Sequence, residues 1–356
     1  MIPLTSISLA LIATTLPAQP AVIRLQPANA RPALEFSDVF SMRELRDGRV
    51  LVFDRKENWL AVVDLARASI RHLGRPGSGP GEFQGSLALF QLGGDSTLAA
   101  DLVHRWLILV GDSIVATLPP EDPAVRAVAL WPLGTDRRGR VLARSFGRAS
   151  DSFHVGLVNR ASGRIDTIAT LRLGVRRARV STVNEPGRGP AMRIGRVPLN
   201  VQETALLYPD GWTAVVRLEP YRVDWRSPEG RWSSGRLISI REIRMDERER
   251  KAYAERNPWS RSAADWPETV PPFDSPTSMF ATPDGWLAIQ RLPTAGEPET
   301  RYDLIDRSGV RRAQLVLPRN QHIVGFGAAS VYVIETDNDG IQRLRRHPYS
   351  ATAIRP

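Results

Sequence analysis

Six times along the chain a tight turn leads into a short apolar strand: Gly48–Phe53, Asp95–Ala100, Gly139–Arg144, Gly211–Val216, Gly285–Gln290 and Ala329–Ile334. Taking the first residue of each copy as a marker, the positions run 48, 95, 139, 211, 285 and 329, so three intervals measure 47, 44 and 44 residues and two measure 72 and 74. A period of roughly 40–50 residues built from short strands is the mark of small antiparallel sheets arranged around a channel. The chain is therefore expected to be all-β, a six-bladed β-propeller, with insertions in the two long intervals.

At 356 residues the chain could hold two average domains, but the repeats run nearly end to end, and 22–350 reads as a single propeller domain. The first blade shows the grammar most fully. Phe36–Leu45 reads as its inner strand, Arg46-Asp47-Gly48 as the turn, Val50–Phe53 and Trp59–Val63 as the second and third strands, and Ile70–Leu73 as the outer one. Asp-Gly suits the positive φ angles of a tight hairpin. The last repeat, Val331–Arg346, is compact, and a strand borrowed from Val22–Leu34 would complete its sheet and remove an exposed edge.

Two insertions interrupt the rhythm. Residues 172–200 read as a loop holding seven arginines (172, 176, 177, 179, 188, 193 and 196) against one acid, Glu185. Such a segment is either a polyanion or ligand lid or a solvated basic excursion. The second, 241–272, opens with Glu242–Ala254, whose opposite charges at three- and four-residue spacing predict a helix between blades four and five. Tyr253, Trp259 and Trp266 would then either pin that helix down or meet a ligand.

Residues 1–21 carry no charge, and the apolar stretch Leu4–Leu16 precedes Pro17–Ala21, with Ala18 and Ala21 as cleavage options. That pattern reads as an export segment lacking the usual basic start, and places the protein in the periplasm or outside the cell. No later apolar run has the length of a membrane span, so the mature chain is expected to have none. The absence of cysteine excludes disulfides, thiolate nucleophiles and Cys-ligated zinc. The net charge of +10 is almost all arginine, Lys56 and Lys251 being the only lysines. Because those arginines are scattered through all repeats without interleaved stacking aromatics, the pattern argues against nucleic acid as a partner.

The segment Gly74–Phe83, Gly-Arg-Pro-Gly-Ser-Gly-Pro-Gly-Glu-Phe, resembles the linker between blades of bacterial six-bladed propellers related to NHL repeats. The resemblance extends to the charged helix, to Pro267–Phe273, to Asp284–Leu287 and to Tyr302–Gly309, and so covers most of 36–347. The glycine segment is not a phosphate loop: no lysine follows, and Leu87–Leu92 reads as a strand. Its glycines allow a sharp turn between blades, and Phe83 is expected to fill the gap between two sheets.

Propeller enzymes similar to gluconolactonases hold a divalent cation in the channel, and lyases on the NHL scaffold use histidines. Here His72, His104, His154, His322 and His347 fall at unrelated repeat positions with no local pairing, and no Gly-x-Ser-x-Gly elbow exists. Six residues beyond each marker stand Asp54, Asp101, Ser145, Arg217, Arg291 and Glu335, at strand ends on the face opposite the marker turns, where ligands normally enter. They form either blade-to-blade salt bridges or a pocket with an acidic and a guanidinium side, suited to a zwitterionic or carboxylated ligand. The sequence thus reads as an exported, non-catalytic propeller, without a cofactor, that binds an unidentified ligand or protein partner on that top face. The alternative is a metal-dependent hydrolase or lyase with Asp54, Asp101 and Glu335 around a cation.

Overall fold

The computed structural model describes residues 20–28, 34–101, 105–128, 132–146, 152–172, 180–185, 188–194, 198–199, 202–263, 266–273 and 278–350. Its sheets form six blades. Blade one comprises Val39–Glu44, Val50–Asp54, Trp59–Asp64 and Ser69–Leu73; blade two comprises Leu87–Gln91, Ser96–Asp101, Arg105–Val110 and Ser113–Leu118. Blade three has three named strands, Arg140–Phe146, Ser152–Asn159 and Ile165–Arg172, and its inner position is taken by a short segment in which Thr135 bridges Val141. Blade four comprises Thr204–Leu207, Thr213–Leu218, Tyr221–Arg226 and Trp232–Ser233. Blade five contains Met279–Ala281, Leu287–Gln290, Glu299–Ile305 and Arg311–Pro318, and blade six Gln321–Phe326, Ser330–Thr336 and Gln342–Pro348.

Six clusters of the buried core stand one at each meeting of neighbouring blades, and a seventh, with Met245, Tyr253 and Val270, belongs to the helical insertion. In the second strand of blade one, Val50 and Val52 pack with Tyr332 and Ile334 of blade six, whereas Leu51 and Phe53 pack with Leu87 and Leu107 of blade two. Successive strand side chains point to opposite faces, and here both faces are covered, which explains why Val50–Asp54 is buried throughout. Equivalent clusters join blades two and three, three and four, four and five, and five and six, so the ring has no open face.

The N-terminal region adds a strand to each of two blades. Glu35–Phe36 pairs antiparallel with Gln342–Arg343 as the outermost strand of blade six, and Ala21–Arg24 runs parallel to Ala313–Val316 as a fifth strand of blade five. Two expectations are corrected here. The borrowed strand of blade six lies at 35–36, just past the expected 22–34, and Phe36 belongs to that strand and not to the inner strand of blade one. The break falls at Ser37-Asp38, whose amides turn toward the Asp54 carboxylate.

The glycine-rich linker behaves as expected. Gly74 has φ +61°, and a Cβ there would lie 2.4 Å from the Gly81 carbonyl oxygen, so only glycine fits. Phe83 is fully buried, edge-on to Phe53 at 5.8 Å, within the cluster shared by blades one and two.

Within 172–200, the expected loop contains a hairpin, Val180–Glu185 with Arg188–Ile194; its side chains lie outside the described residues. The helix of the second insertion is present between blades four and five but starts later than expected, at Glu247–Arg256. Ile243–Arg244 pairs instead with Thr269–Val270, and Asp246 caps the helix by accepting from the Glu249 N–H at 2.9 Å. Glu249 accepts from the Ala295 N–H, and Tyr253 is buried edge-on to Trp266, so these groups dock the helix on blade five; the Trp259 side chain lies outside the described residues. Among the described residues no helix is long and apolar enough to cross a membrane.

Candidate functional site

At the strand ends six residues past the markers, the structure brings each described side chain against a protein partner. Asp54 is fully buried and accepts from the backbone N–H groups of Ser37, Asp38, Lys56 and Glu57, at 2.7–3.2 Å. Asp101 repeats the device in blade two, accepting from Gln84 and Gly85 at 2.7 and 3.1 Å. Both carboxylates tie the entry of their blade's inner strand to the end of its second strand. Ser145 faces His154 in the ladder of blade three, and its side chain lies outside the described residues.

Arg217 joins blades three and four, donating to the Thr170 carbonyl at 2.8 Å and to Glu203 at 2.9 Å, with Asp224 at 3.4 Å. Arg291 lies 3.7 Å from Asp303, which Arg311 also approaches at 3.6 Å. Glu335 accepts from Arg345 at 2.9 Å within blade six. No three His, Asp or Glu side chains among the described residues converge to hold a metal ion. His72 packs edge-on against Trp59, His154 pairs with Thr170, and His347 meets the Gln26 carbonyl; His104 lies outside the described residues.

A cavity of about 540 Å³ lies at the other end of the channel, and residues at the turn end of all six blades contribute to its wall. Leu45 and Arg46 come from blade one, Gln91 from blade two, Arg137 from blade three, Tyr208–Asp210 from blade four, Asp284 from blade five and Phe326–Ala328 from blade six. The turns thus share one face. Gly48, Gly139, Gly211 and Gly285 adopt φ between +77° and +90°, the conformation that lets each chain reverse beside the opening.

Blade-to-blade contacts hold this rim. The buried Arg43 side chain donates to Thr97 Oγ1 and the Asp95 carbonyl, Arg137 N–H donates to the Pro209 carbonyl at 2.9 Å, and Arg307 of blade five pairs with Asp210 of blade four. Tyr208 donates to the Trp286 carbonyl at 2.9 Å, and burial pushes its phenol well above the ordinary range. Arg43 is held below the usual guanidinium range, first by burial and then, against the pull of Asp95, by the charge of Arg46. Its Nε is buried without a hydrogen-bond partner.

The groups left over are instructive. The guanidinium groups of Arg46 and Arg137 are exposed and make no hydrogen bond or ion pair with the described residues. Among the described residues, the exposed carboxylate of Asp284 receives only the Tyr349 hydroxyl, at 3.3 Å. Sequence reading counted forward from each marker and missed this rim. Counting backward would have found it: Arg46 and Arg137 each stand two residues before a marker glycine, and Asp284 stands one before.

Solved structures that resemble the chain are six-bladed propellers. They include the calcium-binding protein regucalcin from Agrobacterium tumefaciens, 12% identical over 93% of this chain and 98% of that one, with a TM-score of 0.46. A putative exported protein from Bacteroides fragilis is 12% identical over 93% and 95%, with a TM-score of 0.48. Virginiamycin B lyase from Staphylococcus aureus is 9% identical over 88% and 85%, with a TM-score of 0.38. No protein-family model matches the chain, and no curated protein matches it in sequence. What is shared is the fold. At such identities it hosts unrelated chemistries, and function must be argued from the site.

Proposed function

We propose that this chain is an exported, non-catalytic propeller that captures a small ligand in the cavity ringed by its marker turns. The observation that supports the reading is a cavity of about 540 Å³ with contributions from all six blades, on whose wall Arg46 and Arg137 have no partner among the described residues. That volume falls within the roughly 300–1,000 Å³ of ordinary ligand sites. At the opposite strand ends the groups expected to bind are already engaged: Asp54 and Asp101 by backbone N–H groups, Arg217 and Glu335 by ion pairs. A cation at that end would have to compete with those donors for the carboxylates.

The test is a thermal-shift screen of charged and neutral small molecules against wild type and Arg46→Ala/Arg137→Ala. Both side chains are exposed and, among the described residues, unpaired, so the double variant should fold normally. A ligand of this cavity raises the unfolding temperature of wild type and not of the double variant, because only ligands that bind the native state shift the equilibrium. Equal shifts in both proteins, or a stoichiometric divalent metal in protein purified without chelator that is lost in Asp54→Asn, would defeat the reading.

A further inference from the structure

Resting on that reading, we infer that the ligand is a zwitterion, an amino acid or short peptide bearing a free carboxylate and a free ammonium group. The charge map of the cavity carries this. Of its acids, Glu44 accepts from Tyr332, Ala328 N–H and Arg346, and Asp210 is paired with Arg307. Both are neutralised by the protein. Arg43 is likewise engaged through Nη1 and Nη2, but its Nε is orphaned in a side chain only 7% exposed, and the like charge of Arg46 stands beside it. Arg46 of blade one and Arg137 of blade three therefore leave an uncompensated positive arc. On the remaining wall Asp284 keeps an exposed carboxylate that a single hydroxyl cannot neutralise.

Ring order sets these poles apart. Blades one and three flank blade two, and in a ring of six, blade five faces blade two across the channel. A carboxylate entering at Arg46 and Arg137 would meet this positive charge and offset the like charge that Arg46 sets beside Arg43, and guanidinium forks match carboxylate geometry. An ammonium group at the other end of the same molecule would meet Asp284. The wall also carries apolar side chains at Leu45, Ala281 and Phe326, which can accommodate a hydrocarbon or peptide body. A simple anion would satisfy only one pole.

The test uses three matched pools of di- and tripeptides, free, N-acetylated and C-amidated, presented to the whole protein and read by affinity selection with mass spectrometry. The free pool should be retained at least about tenfold better than either capped pool, a difference near 1.4 kcal/mol. Asp284→Asn, which keeps an acceptor for Tyr349, should erase the preference for free over acetylated peptides. Arg46→Ala/Arg137→Ala should erase the preference for free over amidated ones. If wild type retains acetylated or amidated peptides as well as free ones, the zwitterion assignment is wrong while the cavity reading stands. If no pool is retained by wild type above the arginine double variant, both fail.

Discussion

Tyr332 donates its hydroxyl to Glu44 at 2.6 Å, across the seam where blade six meets blade one. The same carboxylate accepts from the Ala328 N–H at 2.6 Å and lies 3.2 Å from Arg346. One nearly buried acid thus joins the first and last repeats of the chain, and burial together with this carboxylate pushes the Tyr332 phenol well above its ordinary range. A propeller has no covalent closure, so contacts at this seam resist opening of the ring.

Replacing Glu44 by Ala should therefore cost more than an ordinary surface change. It strands the Tyr332 hydroxyl, at about 1–3 kcal/mol for a buried group left without a partner, whereas the exposed Ala328 N–H can turn to water. Urea unfolding should show a lower midpoint at an unchanged slope. A loss below about 0.5 kcal/mol, the size of a neutral surface substitution, would contradict the role given to this acid.

Arg217 and Arg291 occupy equivalent repeat positions and should nevertheless respond differently. Arg217 is the shared partner of two buried acids, Glu203 and Asp224; after Arg217→Ala, Asp224 keeps Arg222 but Glu203 is left with the Arg172 N–H alone among the described residues, so the loss should be about 1–3 kcal/mol. Asp303 keeps Arg311 and the amide of Gln314 after Arg291→Ala, so that loss should be much smaller. Chemical denaturation of the two single variants gives the order directly.

A chain beginning at Gln19 retains both N-terminal strands and should unfold at the same temperature as the full-length protein. One beginning at Ser37 lacks Ala21–Arg24 on blade five and Glu35–Phe36 on blade six, and loses Phe36 from the core. It should melt several degrees lower and self-associate through the uncovered edges, as light scattering would report. Cleavage after Ala18 leaves the blade-five strand whole, whereas cleavage after Ala21 removes its first residue.

His322 introduces a pH dependence. Burial holds its imidazole below the ordinary value, with the charge of Asp38 acting in the opposite direction. The unfolded chain then binds a proton at a higher pH than the folded one. The stability contribution is complete above the unfolded value of about 6.5 and declines as pH falls from there toward the lower folded value. Unfolding midpoints should drop over that interval, and His322→Gln should flatten the drop.

The blade count was legible because every repeat must place an apolar second strand between two neighbours, and that demand recurs in Val50–Asp54, Ser96–Asp101 and Ser330–Thr336 whatever else varies. The turn glycines and the Gly74–Phe83 linker were legible for a similar reason, since local backbone geometry admits few residues there. The late helix start was less so: Ile243–Arg244 looks helical by composition and becomes a strand only because Thr269–Val270 lies beside it.

What sequence by itself determined is therefore the part of this protein that depends on local conformation and on burial repeated in phase: an all-β ring of six. What only the tertiary structure decided is which charges are free. Asp54, Asp101, Arg217 and Glu335 resemble a binding ring along the chain, yet backbone N–H groups and ion partners reach most of them from another strand or blade, among them Ser37, Gln84 and Glu203. Arg46, Arg137 and Asp284 are ordinary turn residues until the ring closes and brings blades one, three and five around one cavity. Electrostatic availability is a property of distances between groups remote in sequence, and those distances exist only once the chain has folded.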